Sequence, residues 1–472
     1  MTKRTVVALL AAVGFVTSRA VAGDPPAPPP PPKAFTEPKP RASVVVANPE
    51  DNLELPPPAV APLPAVPYDQ AAGDCAHPPA TYDTHVLDYV NPWSARGKRC
   101  CGSVYMSTPY IWFDSNVSLS WIKKGSTPPL VTSSASTAPT RGQLNAPGTT
   151  VLFDGQDLHD QPFVGGRFSA GAWFEECQLC GLEVGFLFLG AADKDFIASG
   201  NGIAGSAGLF VPFFNPRTNL EDVFVVADPG NASGIIRINS RTSVLGGDGH
   251  GLFSVSRGCN FRIDALVGVR WLNLNEEITI EENVRQTRSN VVLGNTLFIV
   301  PTDVGIYDQF ATRNDFIGGE LGLKTHHRFD CWTLDMIGRL ALGGTHQVVR
   351  NDGWTGVTLP GFQPVIGQGG RLITTTNVGS FASDKFSIVP EFGTTLGWEP
   401  RSWVRFSVGY SWLFWNNVVR PGDQIDRVIN PVGVPTRREF NGALLDPARP
   451  AVLSQQTDFW VQSVTLGVQF MY

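Results

Sequence analysis

The chain has 472 residues and a formal net charge of −6 at pH 7, and charged residues make up only 17% of it. The acidic balance argues against a nucleic-acid partner. A helical membrane protein would contain unbroken apolar runs of about 18 or more residues, and because this sequence has none, a bundle of membrane helices is excluded. The 49 Gly, 29 Phe and 12 Trp residues instead favour many turns and aromatic-rich strands.

The first 22 residues follow the pattern of a secretory signal. Lys3-Arg4 precedes an apolar run over Val6–Val16, and Ala20-Val21-Ala22 matches a small-x-small cleavage site. We therefore predict a signal peptide over residues 1–22 and export of the mature chain.

Residues 23–67 form a Pro-rich linker that holds 16 of the 38 prolines. Such a segment is a stiff, solvated polyproline-type chain, so we expect a spacer in the periplasm. The alternative is a docking segment, which would place a contact with the cell wall in this arm. Residues 68–106, with Cys75, Cys100 and Cys101, form a transition segment to which no fold is assigned.

From residue 107 to residue 472, apolar and polar residues alternate with the period of β-strands. In residues 261–271, for example, the odd positions are apolar and the even positions include Arg262, Asp264 and Arg270. Every backbone polar group needs a partner in a bilayer, so the first and last strands of such a sheet must pair. The pattern predicts an all-β fold, a closed antiparallel transmembrane β-barrel.

The connections between the predicted strands alternate between tight turns and long loops. The strands are predicted near 110–122, 163–175, 181–190, 244–257, 260–275, 311–326, 330–347, 385–398, 402–416 and 458–472. This is the pattern of an outer-membrane barrel with ten strands, both chain ends in the periplasm and the long loops outside the cell. A hairpin hidden in the loop at 209–226 would raise the number of strands to twelve.

The last strand ends the chain on aromatic residues. Phe470 and Tyr472 resemble the signal that barrel-assembly machinery reads, so this machinery is an expected partner during biogenesis, beside the outer-membrane lipid. Trp398 and Trp403 flank a tight turn, as expected of an interfacial aromatic girdle. Pro390 removes a ladder donor from its strand and predicts a bulge there.

Charged residues of both signs occupy the inward positions of the predicted strands. The lumen candidates are Arg167, Glu183, Arg262, Asp264, Arg270, Glu320, Lys324, Asp335, Arg339, Glu391 and Arg405. Two interpretations stay open, a salt-bridged core that fills a narrow barrel and a polar pore. Because barrels of about 8 strands are filled by side chains and those of about 16 leave a channel, ten strands favour the filled barrel.

Several short motifs between residue 112 and residue 472 resemble the beta-barrel porin-7 family of bacterial outer-membrane proteins. The motifs are Trp121-Ile122-Lys123 with Pro128-Pro129-Leu130-Val131-Thr132, Thr312-Arg313-Asn314 with Gly318-Gly319, Ala341-Leu342-Gly343 with Thr345-His346-Gln347, and Arg420-Pro421-Gly422-Asp423-Gln424-Ile425-Asp426-Arg427 with Asn430-Pro431. The last motif is the longest and most specific. The resemblance implies an outer-membrane barrel and brings no catalytic residues.

Two other patterns favour structural roles over chemistry. Cys177-x-x-Cys180 lies in a tight turn without a second pair at zinc-site spacing, so we interpret it as a turn disulfide or two free thiols. Four residues of the first long loop could hold calcium, although a solvated acidic loop is favoured: Asp154, Asp157, His159 and Asp160. We expect no metal, no cofactor and no enzymatic activity.

Two functions follow from the predicted barrel. The favoured one is a membrane scaffold that displays five long loops outside the cell, and the alternative is a narrow porin-like channel for small polar solutes. A third, an outer-membrane enzyme with an active site at the extracellular rim, would need Asp and His side chains that converge there.

Overall fold

The computed structural model describes residues 111–472 apart from 156–157, 159–160, 175–177, 259, 439, 441–445 and 472. The predicted signal peptide, the Pro-rich linker and the transition segment lie outside the described residues. No helix within the described part of the chain is long and apolar enough to cross a membrane.

The described residues form seventeen strands. They are β1 (Ile111–Ile122), β2 (Val131–Ser134), β3 (Thr149–Phe153), β4 (Phe163–Trp173), β5 (Cys180–Gly200), β6 (Gly208–Asn215), β7 (Leu220–Ala227), β8 (Ala232–Arg257), β9 (Phe261–Gln286), β10 (Val291–Leu293), β11 (Thr296–Phe298), β12 (Thr302–Phe329), β13 (Trp332–Thr358), β14 (Val365–Gln368), β15 (Gly379–Arg401), β16 (Val404–Val419) and β17 (Gln456–Met471).

Ten of these strands close into an antiparallel ring, which confirms the predicted barrel and its strand number. The order around the ring is β12-β9-β8-β5-β4-β1-β17-β16-β15-β13, and β13 pairs with β12. The first and last strands also pair, with Trp112 opposite Met471. The hairpin suspected in the loop at 209–226 exists as β6 and β7. It belongs to a separate sheet of order β3-β2-β6-β7, so the alternative of twelve barrel strands is wrong.

An apolar belt surrounds one end of the barrel. Each strand contributes outward side chains that are more than one third exposed, among them Val117, Phe168, Val184, Phe253, Val269, Leu321, Leu340, Phe392, Val408 and Leu466. Aromatic side chains stand beside the tight turns, including Phe329, Trp332, Trp398 and Trp403, while Trp121 and Trp271 lie at the opposite edge of the belt. A tall apolar band between two aromatic girdles is the outer surface of a membrane-spanning barrel.

Six strands are longer than their alternation predicts. The strands β5, β8, β9, β12, β13 and β15 have 21 to 28 residues, because they continue past the belt on the side of the long loops. In β9 the outward residues change from Val269 and Trp271 to Asn275 and Glu277, while the inward residues Ile278 and Ile280 remain buried. We call this part beyond the belt the extension, since its outer face is polar.

The chain turns inward at the end of β16, where it forms an inner segment over residues 417–434. The ladder between β15 and β16 ends at Glu391 and Leu413, next to Pro390. The Asn416 side chain then accepts a hydrogen bond from the Ile388 N–H at 2.7 Å. The register between β15 and β13 is regular at Pro390, so the predicted bulge is wrong: the missing N–H is accommodated where the ladder ends.

The extension encloses a hydrophobic core. Its side chains come from the upper parts of the long strands, from the sheet β3-β2-β6-β7 and from the inner segment, and include Ile236, Ile280, Phe310, Phe213, Val226, Ile425 and Ile429. Strand β6 contacts the inner segment directly, because the Phe214 N–H donates to the Arg427 carbonyl at 2.8 Å. The long loops are therefore part of a folded structure.

Candidate functional site

Glu391 on β15 is the centre of a buried cluster of charges inside the belt. Its carboxylate accepts hydrogen bonds from Arg167 Nη1 at 2.6 Å, from Arg339 Nη2 at 2.7 Å and from Arg270. The three arginines stand on β4, β13 and β9. The cluster therefore connects separate parts of the barrel wall across the lumen.

Two further carboxylates and one histidine complete this cluster. Asp248 Oδ1 lies 3.2 Å from Arg167 Nη2, and Glu320 Oε2 lies 2.7 Å from Arg270 Nε. His250 is fully buried and contacts Glu320. We call the seven residues the charged layer: Arg167, Asp248, His250, Arg270, Glu320, Arg339 and Glu391. Three arginines and three carboxylates give a formal charge of 3 − 3 = 0 with neutral histidine, and buried charges persist when they are paired in this way.

Three more ion pairs lie closer to the tight turns. They join Lys324 to Glu183 at 2.9 Å, Arg405 to Asp335 at 2.7 Å and Arg262 to Asp264 at 2.7 Å. The Arg262 guanidinium also lies 3.7 Å from the centre of the Trp173 ring. All eleven lumen candidates from the sequence thus point inward and take part in ion pairs.

Sequence reasoning missed Asp248 and His250. They stand on β8 in the run Gly246-Gly247-Asp248-Gly249-His250-Gly251, where glycines at the outward positions remove the apolar face that would reveal the register. Counting by twos from the outward residues Leu245 and Phe253 would have placed both side chains inside.

A continuous apolar layer lies next to the charged layer, on the side of the extension. Every one of the ten barrel strands contributes at least one buried side chain to it: Ile122, Phe163, Leu189, Val244, Leu272, Leu274, Phe316, Ala341, Val389, Trp415, Val418, Phe459 and Val461. The Phe316 and Trp415 rings meet edge to face with centres 6.0 Å apart. The Trp415 indole donates its only hydrogen bond to Thr345 Oγ1 at 3.1 Å. The layer is therefore a continuous cluster of buried apolar side chains on the inside of the barrel.

Arg420 anchors the inner segment above the apolar layer. Its Nε and Nη2 donate to the two oxygens of Glu276 at 2.8 and 2.7 Å, and both side chains are buried. Its Nη1 donates to the backbone carbonyls of Lys123 and Lys124 at 2.8 and 3.0 Å. A bidentate contact of this kind is strong and directional.

The motifs that carry the family resemblance converge on this inner segment. Asn314 Nδ2 donates to the Val419 carbonyl and its Oδ1 accepts from the Val419 N–H, both at 2.8 Å. Gln347 donates to the Asn417 carbonyl at 2.6 Å. The sequence alone did not indicate that these motifs contact the same segment, because they lie far apart along the chain.

The remaining residues of the longest motif hold neighbouring backbone. Gln424 donates to the Gln455 carbonyl at 2.9 Å, and Asp426 accepts from the Ala451 N–H at 2.7 Å. Arg427 pairs with Glu221 of β7 at 2.7 Å. Gly422 leaves no room for a side chain, because a Cβ there would lie 1.8 Å from the Ser126 carbonyl oxygen. Pro421 begins a 3-10 helix, Pro421–Gln424, that includes Asp423.

A second buried charge cluster lies in the extension, outside the belt. Asp308 accepts backbone hydrogen bonds from Arg371, Leu372 and Ile373 at 2.8 to 3.2 Å, and Arg371 Nη2 lies 3.1 Å from Glu282. Burial raises the pKa of Glu282 to about 7 and that of Asp308 to about 6, although Arg371 opposes both shifts. The Arg371 guanidinium thus pairs with Glu282, while the Arg371 backbone N–H bonds to Asp308.

The extension is therefore expected to lose stability as the pH rises from 5 to 8. The folded carboxyls hold protons in this range that the unfolded chain, with pKa values near 4, has already released. We expect Glu282→Gln to reduce this slope, measured by urea unfolding of the detergent-solubilised barrel at pH 5 and pH 8. An unchanged slope in the variant would contradict the assignment of the shift to this cluster.

The other sequence candidates have separate positions. Cys180 is a free thiol, which contradicts the alternative of a turn disulfide with Cys177, a residue outside the described part. Cys331, in the turn between β12 and β13, is disulfide-bonded. Phe470 faces outward opposite Phe113, and Tyr472 lies outside the described residues. Of the loop residues suggested for calcium, only Asp154 is described.

Histidine and aspartate side chains meet at two places nearer the barrel ends. His326 contacts Asp335 inside the barrel near the tight turns, and His346 contacts Asp384 at 2.8 Å on the exposed outer surface. Within the described residues, no group of three or more His, Cys, Asp or Glu side chains has the spacing of a metal site.

Several solved outer-membrane proteins are distantly similar to this chain. The outer membrane protease OmpT from Escherichia coli is 6% identical with a TM-score of 0.33, over 79% of this chain and 100% of that one. The toluene transporter TodX from Pseudomonas putida is 8% identical with a TM-score of 0.20, over 78% and 93%. A Pseudomonas aeruginosa FadL homologue is 7% identical with a TM-score of 0.22, over 78% and 91%. Likenesses this distant imply nothing about activity.

The family assignment rests on the sequence of the barrel itself. No curated protein matches the chain. The family described as "Putative beta barrel porin-7" matches residues 112–472, from the first barrel strand to the C-terminus, which confirms the resemblance carried by the motifs. The chain is thus an outer-membrane β-barrel and belongs to the beta barrel porin-7 family.

Proposed function

We propose that this protein is a closed membrane scaffold that presents its folded extension on the cell surface. The observation that carries the proposal is the apolar layer, to which all ten barrel strands contribute buried side chains. A column of water cannot cross such a layer without leaving its hydrogen bonds unmade. The charged layer, which lies on the side of the tight turns, supports the same function, because its charged side chains form ion pairs with one another.

The proposed orientation follows from the asymmetry of the barrel. The tight turns and both chain ends face the periplasm, and the extension faces the outside, as in outer-membrane barrels with short periplasmic turns. The proposal includes a Pro-rich linker that lies in the periplasm and contacts the cell wall. Lipid covers the belt, and barrel-assembly machinery inserts the chain. Enzymatic activity is not part of the proposal.

Planar-bilayer recordings test the closed state. We expect the refolded full-length protein to give no unitary current steps, because the apolar layer blocks the lumen. Insertion into the same lipid is checked by flotation of proteoliposomes and by heat-modifiable migration in gels. The double variant Phe316→Ser, Trp415→Ser removes the two aromatic rings of the layer that meet edge to face and should raise ion leakage. Stable current steps in the unmodified protein would establish the alternative, a narrow channel for small polar solutes.

A further inference from the structure

The end of the extension carries an exposed apolar surface that the scaffold does not use. Two adjacent hairpins form it. One is β10–β11 with the residues that follow it, and the other consists of the end of β13, the loop after it and β14. Leu297, Ile299, Phe362, Val365 and Ile366 are between 47% and 72% exposed, and we call these five residues the tip patch. The hairpins touch, since a Cβ at Gly367 would lie 3.1 Å from Leu293 Cδ1. Exposed apolar patches of several hundred Å² mark interaction sites.

The tip patch includes a free strand edge. Strand β14 stands at the end of the strand order and, among the described residues, pairs only with β13, from Val365 opposite Val357 to Gln368 opposite Trp354. Natural edge strands are usually protected by charged residues, prolines or bulges. The residues Val365–Gln368 contain none of these protections. Their unpaired backbone groups are therefore open to another strand.

The composition of the tip favours a second copy of the chain as the partner. No charged residue occurs in 289–302 or in 353–370, so two copies can meet here without repulsion between like charges. A strand edge is also complementary to itself, because two copies pair antiparallel around a two-fold axis. A charged protein or a nucleic acid would find no charged residue to bind within these two ranges.

Symmetry then decides how the two copies are placed. Strand β14 runs antiparallel to β13 and so follows the direction of the barrel strands. A two-fold axis between antiparallel β14 strands is perpendicular to them, and it turns the second barrel end over end. The two belts then lie at opposite ends of the dimer, in two membranes that face each other.

We propose that the tip patch joins two copies of this protein across two apposed membranes, through antiparallel pairing of β14 and burial of the surrounding apolar side chains. The inference rests on the proposed function, since the extension must face outward. Single contacts of this size are weak, and many copies in each membrane supply the avidity. The protein would hold neighbouring cells together.

The test uses full-length protein reconstituted into two populations of liposomes with different fluorescent labels. Outward extensions are verified by their digestion with external protease. We expect the two populations to cluster, measured by light scattering and by colocalisation of the labels. Ile366→Lys, which brings two like charges together at the two-fold axis, should reduce clustering at least tenfold. Ile203→Lys is the matched control, because Ile203 is 63% exposed in a loop outside the tip patch.

A second variant protects the test against misfolding. Phe362→Ser changes the neighbouring apolar contact without adding charge and should also reduce clustering, while heat-modifiable migration of both variants reports that the barrel is intact. Ile366→Cys should give a cross-linked dimer with a short bismaleimide, and Ile203→Cys should not. Absence of clustering by correctly oriented wild-type vesicles, or equal clustering by Ile366→Lys and Ile203→Lys, overturns the inference. Current steps in bilayers would overturn the closed scaffold alone, so the two failures are distinguishable.

Discussion

Replacement of Glu391 by glutamine is expected to lower the free energy of unfolding by about 3–5 kcal/mol, the usual cost of removing one partner from a buried ion pair. The substitution keeps the side-chain volume and removes one negative charge. Arg167, Arg270 and Arg339 then face two carboxylates, an excess of 3 − 2 = 1 positive charge in a buried layer. The measurement is denaturant unfolding of the barrel in detergent micelles, followed by tryptophan fluorescence.

Asp384 provides the matched control for this experiment. It also pairs with a basic side chain, His346, but the carboxylate is 83% exposed on the outer surface. Exposed ion pairs contribute at most about 1 kcal/mol, so Asp384→Asn should leave the unfolding midpoint almost unchanged. Equal losses in Glu391→Gln and Asp384→Asn would mean that the charged layer is hydrated and does not depend on ion pairing.

Replacement of Arg420 by methionine is expected to cost a similar amount, about 3–5 kcal/mol, because it leaves Glu276 buried without its partner. It also removes the donors to the Lys123 and Lys124 carbonyls, which hold the start of the first long loop. We expect the inner segment to exchange its amide hydrogens faster in this variant. Hydrogen exchange followed by mass spectrometry measures this at residues 421–434.

A double-mutant cycle separates the ion pair from general destabilisation. Because Glu276→Gln removes the charge that Arg420→Met leaves uncompensated, the double variant should be more stable than the sum of the two single losses predicts. Arg241→Met is the control, since Arg241 pairs with Asp193 and both side chains are more than half exposed, so the loss should be about 1 kcal/mol or less. Strict additivity in the cycle would show that the pair with Glu276 does not stabilise the fold and that Arg420 acts through its packing and its hydrogen bonds to the Lys123 and Lys124 carbonyls.

The part of the barrel inside the belt could be predicted from the sequence because the pattern of alternation is local. Alternation with a period of two places Arg262, Asp264 and Arg270 on one face and Val267 and Val269 on the other, whatever the rest of the chain does. The ten strands, their tight turns and the inward direction of the charged residues follow from this alternation and from the need of a bilayer for closed backbone hydrogen bonding.

The part of the barrel in the extension could not be predicted in the same way. Beyond Trp271 the outward residues of β9 become polar and most of the inward residues become apolar, so the pattern becomes that of soluble β structure. The glycine-rich run in β8 hides Asp248 and His250 for a related reason, since glycine has no side chain to report its face. The period of two alone therefore does not determine how long these strands are or which residues they pair.

The sequence by itself determined that this chain is a barrel of ten strands with charges of both signs directed inward. Only the tertiary structure decided which charges meet, that a cluster of buried apolar side chains from all ten barrel strands lies next to them, and that the motif from Arg420 to Arg427 lies inside the barrel. The reason is distance along the chain. Glu391 and Arg167 are separated by 224 residues, and Arg420 and Glu276 by 144. Such pairs form through ring closure and strand register, which no local pattern encodes.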